Sequence, residues 1–328
     1  MDRHLDGASR VLDVIRKRAE TASRPGARDD GSRVALVIEG GANRGAVSGG
    51  MALGLHELGL TSAFDDVYGS SAGAINGAWL TSSSPERLVG WTDPAYTRML
   101  VRPHGPLRRR PIVDVRTLAE IVYVRLAPMD FASILASPVR WHPLATDADT
   151  GEAVDLHPYL RQPSDVQLAI RASAAIPILA GAPVQMGGRV LFDAGVAEPL
   201  PFPTAIAQGA THVLVLRSRR PHDVPRASRA NAALARTVLR HYGAGFRRAL
   251  ASSSQRYLAA DRLLNGHGSL PDGFPPLAVV RPRSTALTVG RFSADPRALE
   301  AAFEAGRTAL RETLCPQGQP VGREGVCR

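Results

Sequence analysis

The chain has 328 residues, 44% of them hydrophobic, and a formal charge of +10 carried by arginine, since Lys17 is its one lysine. That is ample for a packed core of one large or two small domains. No run of about 18 apolar residues occurs, which argues against a membrane-spanning helix, and two cysteines, Cys315 and Cys327, exclude a disulfide scaffold and a cysteine-rich zinc site.

Residues 1–32 read as a helical appendage and linker: 11–18 is amphipathic, and 21–32 is polar and contains proline and glycine. The opening residues lack the apolar stretch of a secretory signal, so a cytoplasmic chain with free thiols is expected. From Arg33 onward, apolar strands alternate with helical segments, which predicts an α/β layered domain over 33–220. Strands are expected at 34–38, 66–68, 139–144, 189–192 and 212–216. Helices are expected near 44–58, 72–80, 115–126, 166–174 and 204–208.

The first strand runs into Gly40-Gly41-Ala42-Asn43-Arg44-Gly45, which offers backbone N–H groups at a helix start, the arrangement that stabilises an oxyanion. Arg44 either lends charge to that loop or is simply exposed at the helix start. About 30 residues on, Gly69-Ser70-Ser71-Ala72-Gly73 has the form of a nucleophile elbow, where small neighbours let a strand turn sharply into a helix. A strand-like segment precedes Ser71 and a small, apolar helical one follows it, as an elbow requires. Arginines cluster in 102–116 and in Arg217-Ser218-Arg219-Arg220, giving a basic surface suited to anionic lipid. Aromatics at 5% leave few stacking platforms, so no nucleic-acid partner is expected.

Asp147 and Asp149 lie in a turn-like segment rather than a twelve-residue calcium loop, and no metal is expected. The glycine loop has neither dinucleotide-binding spacing nor a phosphate-binding lysine, so no cofactor is expected. A serine needs a base. Nine histidines are present, none in a motif; His212, His241 or His267 would serve in a histidine-dependent esterase. The other candidate is Asp193, where Val190-Leu191-Phe192 ends in an acid followed by Ala194 and Gly195, although an ordinary Asp turn has the same composition.

After Arg220 the chain reads as a helical extension, 221–328, packed on the core. Leu234, Val238, Tyr242, Phe246 and Leu250 recur every four residues and would share one helix face, with Gly243 and Gly245 weakening its middle.

Four blocks in order, Gly40–Gly45, Gly69–Gly73, 169–177 and Asp193-Ala194-Gly195, with a hairpin-like 145–152, resemble the patatin-like phospholipases over about 33–219. The resemblance implies a three-layer α/β/α fold with a mainly parallel central sheet. It also implies a Ser–Asp dyad without a catalytic histidine: Ser71 as nucleophile, Asp193 as its partner, and Gly40, Gly41, Ala42, Asn43, Arg44 and Gly45 as the oxyanion loop. The activity so implied is a serine acyl hydrolase of lipase or phospholipase A type, acting on glycerolipid esters through an acyl-enzyme, with peripheral membrane contact through the basic patches. The alternatives are a non-catalytic lipid- or partner-binding protein of the same fold, or the histidine-dependent esterase. Two departures from the family pattern stand out. Ala42 replaces a glycine and is expected to need a negative φ, and Glu198 stands where asparagine or aspartate is usual.

Overall fold

The computed structural model describes residues 2–102, 105, 110–223, 229–266, 270–271 and 273–315. Eight strands form one sheet: β1 (Val34–Ile38), β2 (Asp66–Ser70), β3 (Arg140–Asp147), β4 (Ala153–Asp155), β5 (Val184–Met186), β6 (Arg189–Asp193), β7 (His212–Leu216) and β8 (Leu277–Val280). Their order is β5-β6-β3-β2-β1-β7-β8, with β4 paired to β3 off this path. From β3 to β8 every neighbouring pair is parallel, while β6 and β5 close one edge antiparallel.

Strands buried on both faces are apolar throughout, and β1 divides its residues between two cores. Val34, Leu36 and Ile38 face a cluster containing Met51, Trp79, Trp141 and Phe303. Ala35 and Val37 face another containing Phe202, Val213 and Tyr257. Helices Gly45–Glu57, Ala72–Thr81, Pro163–Ser173 and Pro296–Leu314 cover the first face, and Phe202–Ala207 and Ala244–Leu264 cover the second. The result is a three-layer α/β/α architecture with a mainly parallel sheet.

Helices Gly45–Glu57 and Pro296–Leu314 approach at backbone distance because glycines face each other there. A Cβ on Gly50 would lie 1.9 Å from Phe303 O, and one on Gly306 would lie 1.9 Å from Val47 O.

The flanking regions are woven into the core. In helix Asp2–Glu20, Val11 and Ile15 are fully buried, and the helix lies against β8 and β7. The C-terminal residues add β8 to the sheet, a four-residue strand set between prolines at 275–276 and 282 and therefore invisible as a pattern. The single helix face expected from Leu234 to Leu250 is corrected: the helices are Arg229–Arg236 and Ala244–Leu264, with 237–243 between them. Gly243 and Gly245 cause the break. They seat the chain on the β3–β4 turn, where a Cβ would fall 2.2 Å from Asp149 O and 2.0 Å from Thr150 O. Segment 115–126 starts as an α-turn, Val115–Thr117, and widens into π-type helix over Leu118–Leu126.

Arg217, expected on a basic surface, is fully buried in ion pairs with Glu39 and Asp261. Arg108 and Arg109 of the other cluster lie outside the described residues. Cys315 is disulfide-bonded; the expectation of a free thiol rested on an assumed reducing compartment rather than on geometry. Cys327 lies outside the described residues. No helix among them is long and apolar enough to cross a membrane.

Candidate active site

Ser71 and Asp193 are 122 positions apart and meet because β3 lies between their strands. Ser70 pairs with Leu144 of β3, and the next β3 residue, Ala145, pairs with Asp193. Two strand spacings, roughly 10 Å, are spanned by the two side chains. Ser71 Oγ donates to Asp193 Oδ2 at 2.6 Å.

The elbow is strained. Ser71 has φ 54° and ψ −121°, a left-handed backbone uncommon for a residue with a side chain. Gly73 is required beside it, since a Cβ there would stand 2.2 Å from Ile38 O at the end of β1. Ser71 N–H donates to Ser173 Oγ at 3.0 Å, so helix Pro163–Ser173 fixes the elbow from below.

Asp193 is held on every side. Gly195 N–H donates to Oδ1 at 2.7 Å, and Thr146 Oγ1 donates to the Asp193 carbonyl at 2.8 Å. Its own N–H reaches Ala175 O at 2.9 Å. Burial pushes its carboxyl above the ordinary value, against the opposing pull of the Ser71 and Gly195 hydrogen bonds and the Arg291 charge.

Most N–H groups of the glycine loop are already spent. Gly40 N–H goes to Pro199 O, Asn43 N–H to Arg291 O and Arg44 N–H to Gly41 O, while Gly45 N–H closes the turn on Ala42 and Asn43. Gly41 and Ala42 N–H have no acceptor among the described residues. Ala42 has φ +50°, which corrects the expectation of a negative φ: the chain accepts a left-handed alanine where glycine would be unstrained. Gly40, Gly41, Ala42 and Arg44 line one cavity with Ser71 and Asp193. Asn43 and Gly45 do not. The Asn43 amide instead donates to Ser293 O at 2.6 Å, and Gly45 packs against Ala72 and Trp91.

The cavity holds about 380 Å³, and Ile176, Ile178, Leu179, Val196, Leu234 and Leu250 form its apolar lining. Ile178 has φ +68° and is 42% exposed, an outlier for a β-branched residue at the entrance.

No histidine lines this cavity among the described residues. His212 opens β7 opposite Val34, at the far end of the sheet from Ser71. His241 lies against Tyr242 with its ring tilted by 42°, and His267 lies outside the described residues. His142 is bound by Asp155 at 2.7 Å and Asp66 at 3.0 Å. Among the described residues no three His, Cys, Asp or Glu side chains group as a metal site would require. Glu198 accepts from Thr204 N–H and Oγ1, both at 2.8 Å, and so caps helix Phe202–Ala207. Arg171 binds Glu120 at 2.9 Å, away from the cavity.

Sequence reading missed Glu39. Fully buried, it accepts from Tyr257 Oη, from Ser218 N–H at 2.7 Å and from Arg217 Nε at 3.3 Å. It thereby ties the start of the glycine loop to the end of β7 and to helix Ala244–Leu264. The signal was an acid directly after an apolar strand.

A serine on a strand-to-helix elbow beside a glycine-rich loop, on a three-layer α/β/α scaffold, defines the class. Residues 36–206 match the family model of patatin-like phospholipases, about half the chain, and the chain belongs to that family. Among its relatives are uncharacterized NTE family proteins of Mycobacterium bovis and Mycobacterium tuberculosis. Each is 31% identical over 177 residues, covering 52% of this chain and 44% of the relative. The match thus spans less than half the length of these relatives. The crystal structure of VipD from Legionella pneumophila aligns with a TM-score of 0.40 at 13% identity, covering 86% of this chain and 66% of that one.

Proposed function

We propose that the chain hydrolyses acyl esters of glycerolipids through Ser71 and Asp193. The observation that carries this reading is the 2.6 Å contact between the buried Ser71 Oγ and Asp193 Oδ2 inside an apolar-lined cavity. Ser71 Oγ attacks the ester carbonyl as its proton passes to Asp193 Oδ2, leaving a tetrahedral oxyanion. The N–H groups of Gly41 and Ala42 receive that oxyanion; one such donor is typically worth about 2.7–4 kcal/mol.

Collapse breaks the ester C–O bond, and the departing alkoxide takes the proton from Asp193, leaving an acyl group on Ser71. Water then gives its proton to Asp193 as it adds to the acyl carbon. The second collapse releases the fatty acid and returns the proton to Ser71 Oγ. An ordinary aspartate, with a pKa near ~3.9, is a feeble base for serine. Burial of Asp193 raises its basicity, and placement does the rest.

The test is hydrolysis of a short-chain glycerolipid ester by the intact chain, by Ser71→Ala and by Asp193→Asn, with fluorophosphonate labelling of the serine. Wild-type turnover and labelling, both abolished in the folded variants, support the reading. Full activity in either variant overturns it.

A further inference from the structure

Three guanidinium groups line the catalytic cavity, Arg44, Arg219 and Arg291, and none has a carboxylate partner among the described residues. The negative groups around them are committed elsewhere. Glu39 is used by Arg217, Tyr257 and Ser218, and Asp261 by Arg217 at 2.7 Å. Asp223, which also feels Arg219, is bound to Arg220 at 2.8 Å. Arg281, only 3.9 Å from Asp261, adds a further cation behind them.

Hydrogen-bonding atoms are left over in the same place. Arg44 Nε, Arg219 Nε and Ser218 Oγ are buried without a partner. Arg44 Nε and Ser218 Oγ both face Gly41, each 3.3 Å from where its Cβ would stand. Arg219 is braced over the Tyr257 ring at 5.2 Å. Burial, together with the repulsion that Arg219 and Arg291 exert on it, pushes the Arg44 guanidinium down to about 10 despite the attraction of Glu39. Arg44 and Arg219 are half-buried and Arg291 is exposed, so the cost falls on the buried Nε atoms of Arg44 and Arg219, which stay unsatisfied unless an acceptor completes them.

We infer that Arg219 and Arg291, together with Arg44, form a subsite beside the oxyanion loop for the phosphoryl group of an acylglycerol phosphate. This inference rests on the proposed hydrolysis and specifies its substrate. A phosphate fits better than a carboxylate because its oxygens accept several guanidinium forks at once and its charge approaches −2. The fatty-acid carboxylate is in any case formed at Ser71, not here. Arg219 and Arg291 lie outside the residues matched to the family model, and Arg44 lies within them, so the C-terminal half supplies two of the three cations.

The experiment compares kcat/KM for monomeric octanoylglycerol 3-phosphate with that for octanoylglycerol. Wild type is expected to prefer the phosphorylated ester by about tenfold or more. Arg219→Gln and Arg291→Gln should lower that ratio by a similar factor, mainly through KM, with the lysine variants, which keep the charge but lose the fork, falling between wild type and these. A wild-type ratio near one, or variants that slow both esters equally, overturns the subsite.

Two further arms separate the alternatives. Stimulation of octanoylglycerol turnover by millimolar inorganic phosphate, without preference for the phosphorylated ester, would put a free anion there and overturn the assignment. Calorimetric binding to Ser71→Ala works without turnover. Tighter binding of the phosphorylated ester supports the subsite even if hydrolysis fails, and equal binding refutes it even if hydrolysis succeeds.

Discussion

At the N-terminal end of the parallel strands the charges are matched, whereas at the C-terminal end three arginines are left over beside the paired Glu39, Arg217 and Asp261. At the first, Arg18 binds Asp30 and Asp65, and Arg28 joins Asp65. Nearby, Asp66 is shared by Arg33, Arg140 and His142. At the second, Arg44, Arg219 and Arg291 outnumber their free partners, and three of the four non-glycine residues with positive φ among the described residues, Ala42, Ser71 and Ile178, lie there. One end of the sheet holds the fold, and the other stores strain and unpaired charge as functional sites do.

The sharpest way to break this contrast is to disarm the strained end. Ser71→Ala and Asp193→Asn are each expected to cut ester hydrolysis by about 10⁴-fold or more, the scale seen when a serine-hydrolase nucleophile or its partner is removed. Asp193→Asn should nevertheless melt no lower than wild type. The carboxyl of Asp193 is raised on folding, so ionising it costs stability as pH climbs from its unfolded value through its folded one. The amide variant escapes that cost. A fall in Tm would show that the carboxylate also holds the fold.

Disturbing the matched end should do the reverse. Arg18 is 2% exposed and also binds the carbonyls of Ala63 and Ser32. Arg18→Met is expected to lose about 3 kcal/mol in denaturant unfolding, as when one partner of a buried pair is removed. Activity per folded molecule should stay near wild type.

A milder probe is pH. Burial disfavours the His142 cation, but hydrogen bonds to Asp155 and Asp66 outweigh this and hold its pKa above 6.5. A group raised on folding stabilises fully below its unfolded pKa, and that stability disappears as pH rises through the folded value. Stability should therefore decline above about pH 6.5, and His142→Gln should flatten the decline. The smallest effect expected is at Ala42. Ala42→Gly relieves a left-handed alanine worth about 1–2 kcal/mol and adds chain entropy worth about 0.5–1 kcal/mol. Tm should rise slightly, with hydrolysis within about twofold of wild type.

What was legible in the sequence follows this same division. The elbow at Ser71 and the glycine loop were readable because each is a local turn with its own residue requirements. Asp193 looked like any Asp turn, because its meeting with Ser71 runs through the register of β3; only the order of four blocks singled it out. Arg44, Arg219 and Arg291 were illegible as a group because three separate segments bring them to one cavity, and Glu39 because its partners Ser218 and Tyr257 come from distant segments. β8 was hidden by its length, and the break before Ala244 was visible as two glycines whose purpose, docking on the β3–β4 turn, was not.

The central claim is that a carboxylate, with no imidazole, activates Ser71. The direct measurement is the rate of fluorophosphonate labelling of Ser71 as a function of pH, in wild type and in Asp193→Asn. Labelling should rise on a single titration above the ordinary aspartate value and vanish in Asp193→Asn. Labelling that survives in Asp193→Asn, and is lost when a histidine is replaced, would contradict the account.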